Sequence, residues 1–248
     1  MRTLSLIALA TALAAGCGDS GGDESKKTSA PLPQGAEKVN LDPADFTTTI
    51  DNEWWPMKPG TRWVYRESAP DGTRQKVVVT VTDRTKRIAN GIEAVVVHDA
   101  VTEDGVPIEV TDDWYAQDRE GNVWYLGEST TEYEKGRPVS KAGSFEAGRD
   151  GAQAGVIMPG DPRPGLSYRQ EHYRGEAEDR GSIVSVGEQA EVPAGHYRPV
   201  LMTRDENPLE PKILEFKFFA KGVGPVLAVG VSGGSDREEL VSFRPGKG

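Results

Sequence analysis

A single cysteine, Cys17, is all that this chain of 248 residues contains, so no disulfide can form within it. Basic runs are missing too. The 29 Lys and Arg are outnumbered by 39 Asp and Glu, giving a net charge of −10 and a pI near 4.9. Nothing in such a chain would neutralise a phosphate backbone, which argues against a nucleic-acid partner. No apolar run reaches the roughly 18 residues that a spanning helix needs. His98, His172 and His196 are scattered, without the short spacing of a zinc site. No P-loop lysine follows the glycines near 148–155, and no dinucleotide fingerprint follows a strand–helix unit. No long stretch repeats at helical spacing, which removes a helical bundle. What is plentiful is glycine (29) and proline (17), the residues that many turns between short strands require.

The lone cysteine sits in an informative place. Arg2 gives a positive start, Leu4 to Ala15 is an apolar run, and Ala14-Ala15-Gly16 is a small-residue cleavage region directly before Cys17. This arrangement resembles a bacterial lipobox, with Ala14 where that motif prefers leucine. An ordinary secretory signal with an incidental cysteine is the alternative. The resemblance implies an exported protein, lipid-anchored to the bacterial cell envelope through lipidated Cys17. Each buried methylene contributes about 0.8 kcal/mol, so one acyl chain holds weakly and two or more hold firmly. Gly18 to Asn40 is polar, Gly- and Ser-containing, and too poor in apolar residues to offset its own ordering entropy. The expected organisation is a signal peptide over 1–16, a flexible tether over 17–40, and a single antiparallel β-domain over 41–248.

Within that domain strand follows strand. Arg74 to Asp83 alternates, with Val77, Val79 and Val81 on one face. Asn90-Gly91 is a hairpin signal leading into Ile92 to Thr102, whose Val95-Val96-Val97 run suits a strand covered on both faces. Leu166 to Arg174, Ser182 to Val192, Tyr197 to Arg204, Lys212 to Phe219, Pro225 to Val231 and Glu239 to Phe243 complete the series. Leu214, Phe216 and Phe218 share one face of theirs. Asp42-Pro43 can cap one short helical turn. The fold class is all-β: an antiparallel barrel, half-barrel or sandwich, with little helix. Phe145 to Gly165 breaks the pattern, with many glycines and no alternation. It reads as a loop, either a lid or plug or a surface segment tucked down by Val156, Ile157 and Met158.

The densest stretch is Asp112 to Glu128, read as a hairpin. Asp118 opens a type I turn and Gly121 takes the left-handed position. That register sets Asp118 opposite Asn122, Ala116 opposite Trp124, Trp114 opposite Leu126, and Asp112 opposite Glu128. One face then carries Trp114, Ala116, Trp124 and Leu126 with both carboxylates at its end. The other carries Tyr115 and Tyr125.

Together with Ile50-Asp51-Asn52-Glu53-Trp54-Trp55-Pro56-Met57-Lys58-Pro59-Gly60-Thr61-Arg62-Trp63-Val64-Tyr65 and Gly151-Ala152-Gln153-Ala154-Gly155-Val156-Ile157-Met158-Pro159, this hairpin resembles an uncharacterised family of bacterial exported lipoproteins. That resemblance implies the class and brings no catalytic residue. Phe219-Ala220-Lys221-Gly222-Val223-Gly224-Pro225-Val226 is more distantly similar to the last strands of curled-sheet half-barrel envelope proteins.

Three functions follow as expectations. The first is a binding protein for an envelope lipid or glycan, using Trp54, Trp55, Trp114, Tyr115, Trp124 and Tyr125. Its cleft would be lined by Trp114, Trp124 and Leu126 under the 145–165 loop. The second is a glycan-acting enzyme with Asp112 and Glu128 as an acid/base pair, since opposed carboxylates need a shared proton or a cation. The third is a structural lipoprotein holding Ca²⁺ between Asp112 and Glu128. A rim position with a basic neighbour, or simple solvation, accounts for that pair better than either. No other cofactor is expected, and the sequence leaves the oligomeric state open. Gly230-Val231-Ser232-Gly233-Gly234 matches a nucleophile elbow in letters only, because no histidine follows it; a hairpin turn explains it better.

Overall fold

The computed structural model describes residues 31–247. The signal peptide, Cys17 and the first part of the expected tether lie outside the described residues.

The described chain is an antiparallel β-barrel, nearly closed. Its only helical element among the described residues is a 3-10 turn, Pro43–Asp45. There the Asp42 side chain accepts from the Ala44 amide at 2.9 Å, as the Asp-Pro pair predicts. β1 (Phe46–Thr47) is a short outrigger on β5. The wall then proceeds through β2 (Arg62–Ser68), β3 (Arg74–Arg87), β4 (Glu93–Glu103), β5 (Val106–Asp118) and β6 (Val123–Glu134), each hydrogen-bonded to the next. β7 (Arg137–Ser140) and β8 (Phe145–Glu146) flank β6. β9 (Gln153–Met158) pairs with β6 as well. After β10 (Ser167–Arg169) and β11 (Glu171–His172) come β12 (Arg180–Val192), β13 (Gly195–Glu206), β14 (Leu214–Ala220), β15 (Gly224–Ser232) and β16 (Arg237–Arg244). β16 returns to pair with β2.

Closure depends on one extended stretch. β10 pairs with β12 and β11 pairs with β9, yet the two are halves of a single run interrupted only at Gln170. The two ends of the ladder are therefore joined by the chain itself. Gly155 makes this possible, because a Cβ there would collide with the backbone of Arg169 and Gln170.

Two expectations change here. The 145–165 region is not a lid. It supplies β9, with Ala154, Val156 and Met158 buried, so it is part of the wall. Alternation is weak there because both faces are covered. Residues 33–37, expected in the tether, lie against the seam. The Arg169 amide donates to the Pro33 carbonyl at 2.6 Å, and the buried Arg169 guanidinium donates to the carbonyls of Gly35, Glu37 and Ala154. The Gly230–Gly234 stretch is the end of β15 and the turn into β16, with Gly233 at φ 77° and the Ser232 hydroxyl donating to the Lys212 carbonyl. It forms no elbow.

The barrel has two apolar regions. One is the lumen. The other lies outside the wall, where Phe46 packs edge-on against Trp124 with ring centroids 6.1 Å apart.

Candidate functional site

The organising hairpin begins as its sequence predicts. Asp118 accepts from the Glu120 and Asn122 amides through one carboxylate oxygen, at 3.0 and 2.8 Å. Its other oxygen accepts from Asn122 Nδ2 and Trp124 Nε1, at 2.8 and 2.7 Å. Tyr115 pairs with Tyr125 and Ala116 with Trp124, as expected.

Beyond Tyr125 the register slips by one. Gly127 adopts φ 132°, and a Cβ there would strike the carbonyl of Phe145 in β8. This β-bulge turns Glu128 to the inner face and sets it opposite Asp113 rather than Asp112. The expected Asp112–Glu128 pair is thus not formed. Asp112 points to the outer surface, where Arg84 grips it bidentately at 2.9 and 3.0 Å and His98 Nδ1 lies 2.8 Å away. Burial opposes its charge, but those partners hold its carboxyl below the usual range. With its lone pairs so engaged and Glu128 on the other side of the sheet, the Ca²⁺ site and the acid/base pair lose their geometry. Among the described residues no cluster of three metal-ligating side chains occurs.

The inner face carries a different pair. The Tyr125 hydroxyl lies 2.7 Å from Asp113 Oδ1 and 2.6 Å from Glu128 Oε2. One hydroxyl has one proton to donate. Two contacts this short require that one of the carboxyls be protonated and donate back. The electrostatics agree. Burial, then the charge of Glu128, pushes Asp113 well above the usual carboxylate range. Burial also raises Glu128, partly offset by hydrogen bonds from Tyr125 and Thr130.

This pair belongs to a larger chamber. A cavity of about 270 Å³ lies inside the barrel. Its apolar lining comes from Trp63 and Tyr65 of β2, Val77 and Val79 of β3, Val97 of β4, Tyr115 of β5, Phe219 of β14 and Leu227 of β15. Trp55 reaches in from the 50–57 segment, with its ring 5.5 Å from Phe219 and 6.0 Å from Tyr115. That segment is locked in place. Gln117 Oε1 accepts from the Asp51 and Asn52 amides, and Asn52 Nδ2 donates to the carbonyls of Gly121 and Pro159. Trp63 Nε1 and the Tyr65 hydroxyl donate to the carbonyls of Val223 and Pro225, so their rings are fixed and their polar atoms satisfied.

The polar lining is Asp99, Asp113, Asp205, Glu238, Lys217 and the neutral Gln170. Lys217 lies 3.1 Å from Asp205 and 3.3 Å from Glu215. Burial opposes its charge, yet those carboxylates hold its ammonium above the usual value. Asp99 Oδ1 is buried without a hydrogen-bond partner. Burial, then Glu109, pushes Asp99 up to about 7. Burial, then Asp99 and Glu67, pushes Glu238 up to about 8. Glu171 is pushed up to about 8 by burial and by Asp179.

The six aromatic candidates therefore separate. Trp55 and Tyr115 line the cavity, and Tyr125 stacks behind Tyr115 at 5.0 Å with its hydroxyl between the two carboxyls. Trp54 is buried beneath Lys221, whose ammonium sits 4.8 Å from its ring. Trp114, Trp124 and Leu126 are on the opposite face from Tyr115, buried in the outer layer, with Lys86 over the Trp114 ring. The expected cleft on that face is a packed layer. Sequence reasoning missed Asp99, Lys217, Phe219 and Glu238. The available signal was in-phase alternation, which sets Lys217 and Phe219 together on β14, with Phe216 and Phe218 opposite.

No family model matches the chain, and no curated protein matches it. Among solved structures it is similar to a "putative lipoprotein" from Parabacteroides distasonis, at 11% identity and a TM-score of 0.44, over 78% of this chain and 99% of that one. It is also similar to a beta-barrel-like protein of a domain of unknown function from Brucella abortus, at 12% identity and a TM-score of 0.36, over 75% and 98% of the two chains.

Proposed function

We propose that this chain is an exported, lipid-anchored binding protein that takes a small amphiphile into its barrel. The observation that carries the reading is the chamber itself, a preformed cavity of about 270 Å³ faced largely with aromatic and branched apolar side chains. An apolar cavity of about 150 Å³ is enough to hold benzene, so this one suits a short alkyl chain with a compact headgroup. The lining favours a lipid-like ligand over a glycan. Sugars need arrays of free donors and acceptors, whereas the Gln170 amide and Lys217 are already committed to Asp205. The location rests on the Arg2-to-Cys17 signal and on the envelope anchor that lipidated Cys17 would supply.

The test is native mass spectrometry of the full chain purified from an exporting bacterial host, with Val79→Phe as comparison. Val79 is half-buried and lines the cavity, so phenylalanine fills space without opening the wall. The expected result is a bound amphiphile on the wild-type chain and a bare Val79→Phe chain of unchanged melting cooperativity. Equal loading of the two would place the ligand elsewhere.

A further inference from the structure

Resting on that reading of the cavity, we infer that its ligand carries a cationic headgroup, a quaternary or protonated amine on a short apolar tail. The chamber has one cation, Lys217, and it is already spent on Asp205 and Glu215. Asp99, Asp113 and Glu238 face the same space with no ion pair to a basic residue among the described residues. Asp99 Oδ1 has no hydrogen-bond donor at all. Held without a counter-charge, these buried carboxyls keep protons that a cationic headgroup would displace, because an unpaired buried charge is costly until a counter-charge arrives.

The apolar side of the chamber suits the same guest. Trp55 and Tyr115 line the chamber with ring centroids 6.0 Å apart, and tetraalkylammonium groups are held by aromatic rings as well as by carboxylates. A bare metal ion fits less well, since no three carboxylates converge among the described residues. A phosphate or carboxylate headgroup would find only the Gln170 amide and Lys217 as donors, both already held by Asp205, among acidic groups. Fatty acids and anionic phospholipids are thereby disfavoured, and lipophilic amines are selected.

The experiment uses the full chain carrying Cys17→Ser, which removes the acylation site and keeps every described residue. Three probes of equal tail are titrated by calorimetry at about pH 9, where Asp99 and Glu238 are ionised: octyltrimethylammonium, 1-octanol and octanoate. The expected order is the ammonium tightest, by about tenfold or more over octanol, with octanoate weakest. Asp99→Asn combined with Glu238→Gln should erase most of that preference while leaving octanol affinity within about threefold. Octanol or octanoate binding as tightly as the ammonium overturns the charge inference and leaves the cavity reading intact. Failure of all three to bind, with the chain shown to be folded by its cooperative melt, overturns the cavity reading and this inference with it.

Discussion

Single residues decide which carboxylates matter. Asp112 and Asp113 are neighbours in sequence, yet one faces solvent under Arg84 and the other faces the lumen under Tyr125. Their consequences should differ accordingly. The Arg84–Asp112 pair is at the surface, so Arg84→Ala should cost at most about 1 kcal/mol in a urea titration. Tyr125→Phe removes the only hydroxyl between two buried carboxyls and should cost about 1–3 kcal/mol. Adding Asp113→Asn and Glu128→Gln to Tyr125→Phe should recover part of that loss, because the amides no longer have to share a proton. A Tyr125→Phe chain as stable as the wild type would remove the shared-proton account. Asp118 is a third case. Four donors converge on its buried carboxylate, so Asp118→Ala should cost about 2 kcal/mol or more. That role was legible in the sequence, because an aspartate opening a three-residue hairpin loop has those amides within reach. The identity of the paired carboxylates was not. It turns on Gly127, and a lone glycine inside a strand was the available sign of a bulge.

At the scale of elements, most strands were legible because they alternate or, like β4 with its Val95-Val96-Val97 run, follow a turn signal with an apolar run. β3, β4, β5 and β12 to β16 lie where alternation and turn residues predict. β9 was not, since it is covered on both sides and carries Gly155 at a point of close backbone approach. Gly127→Ala should be the most damaging small change in β6. It combines a left-handed φ with a collision against β8, and should cost about 1–3 kcal/mol. The strands also decide the pH response. Asp99 on β4 feels the charges of Glu109, His98 and Glu128. Glu238 on β16 faces Asp99, Glu67, Lys217 and Glu215. Glu171 on β11 faces Asp179, Glu128, Lys217 and Asp113. The Asp99 carboxyl is pushed up to about 7, and those of Glu238 and Glu171 to about 8. Unfolded carboxyls titrate near about 4. Between those limits the folded chain binds more protons than the unfolded one, so stability falls as pH rises through the window. Thermal melts should therefore show a higher midpoint near about pH 6 than near about pH 9, with the Asp99→Asn, Glu238→Gln chain giving a flatter profile. A wild-type midpoint that climbs with pH across that range would contradict the burial of these groups.

For the whole molecule, the sequence pointed to the all-β class and left barrel, half-barrel and sandwich open. The choice is made by contacts far apart in sequence: β16 returning to β2, and the 167–172 stretch bridging β12 to β9. Local alternation cannot show which strand is neighbour to which. The same limit hid the chamber, whose lining is assembled from β2, β3, β4, β5, β9, β13, β14, β15 and β16 together with the 55–57 segment. It also misdirected the aromatic candidates. Trp114 and Trp124 look like a ligand platform when the hairpin is read alone, and become an outer packing layer once the wall closes. The account stands on the inner face being the one that receives a guest. The most direct measurement is a crystal structure of the full chain carrying Cys17→Ser, soaked with octyltrimethylammonium. The account predicts density for the alkyl chain inside the barrel, against Trp55 and Phe219, with its headgroup beside Asp99. Density confined to the outer Trp114 and Trp124 face, or an unaltered chamber at saturating probe, would contradict it.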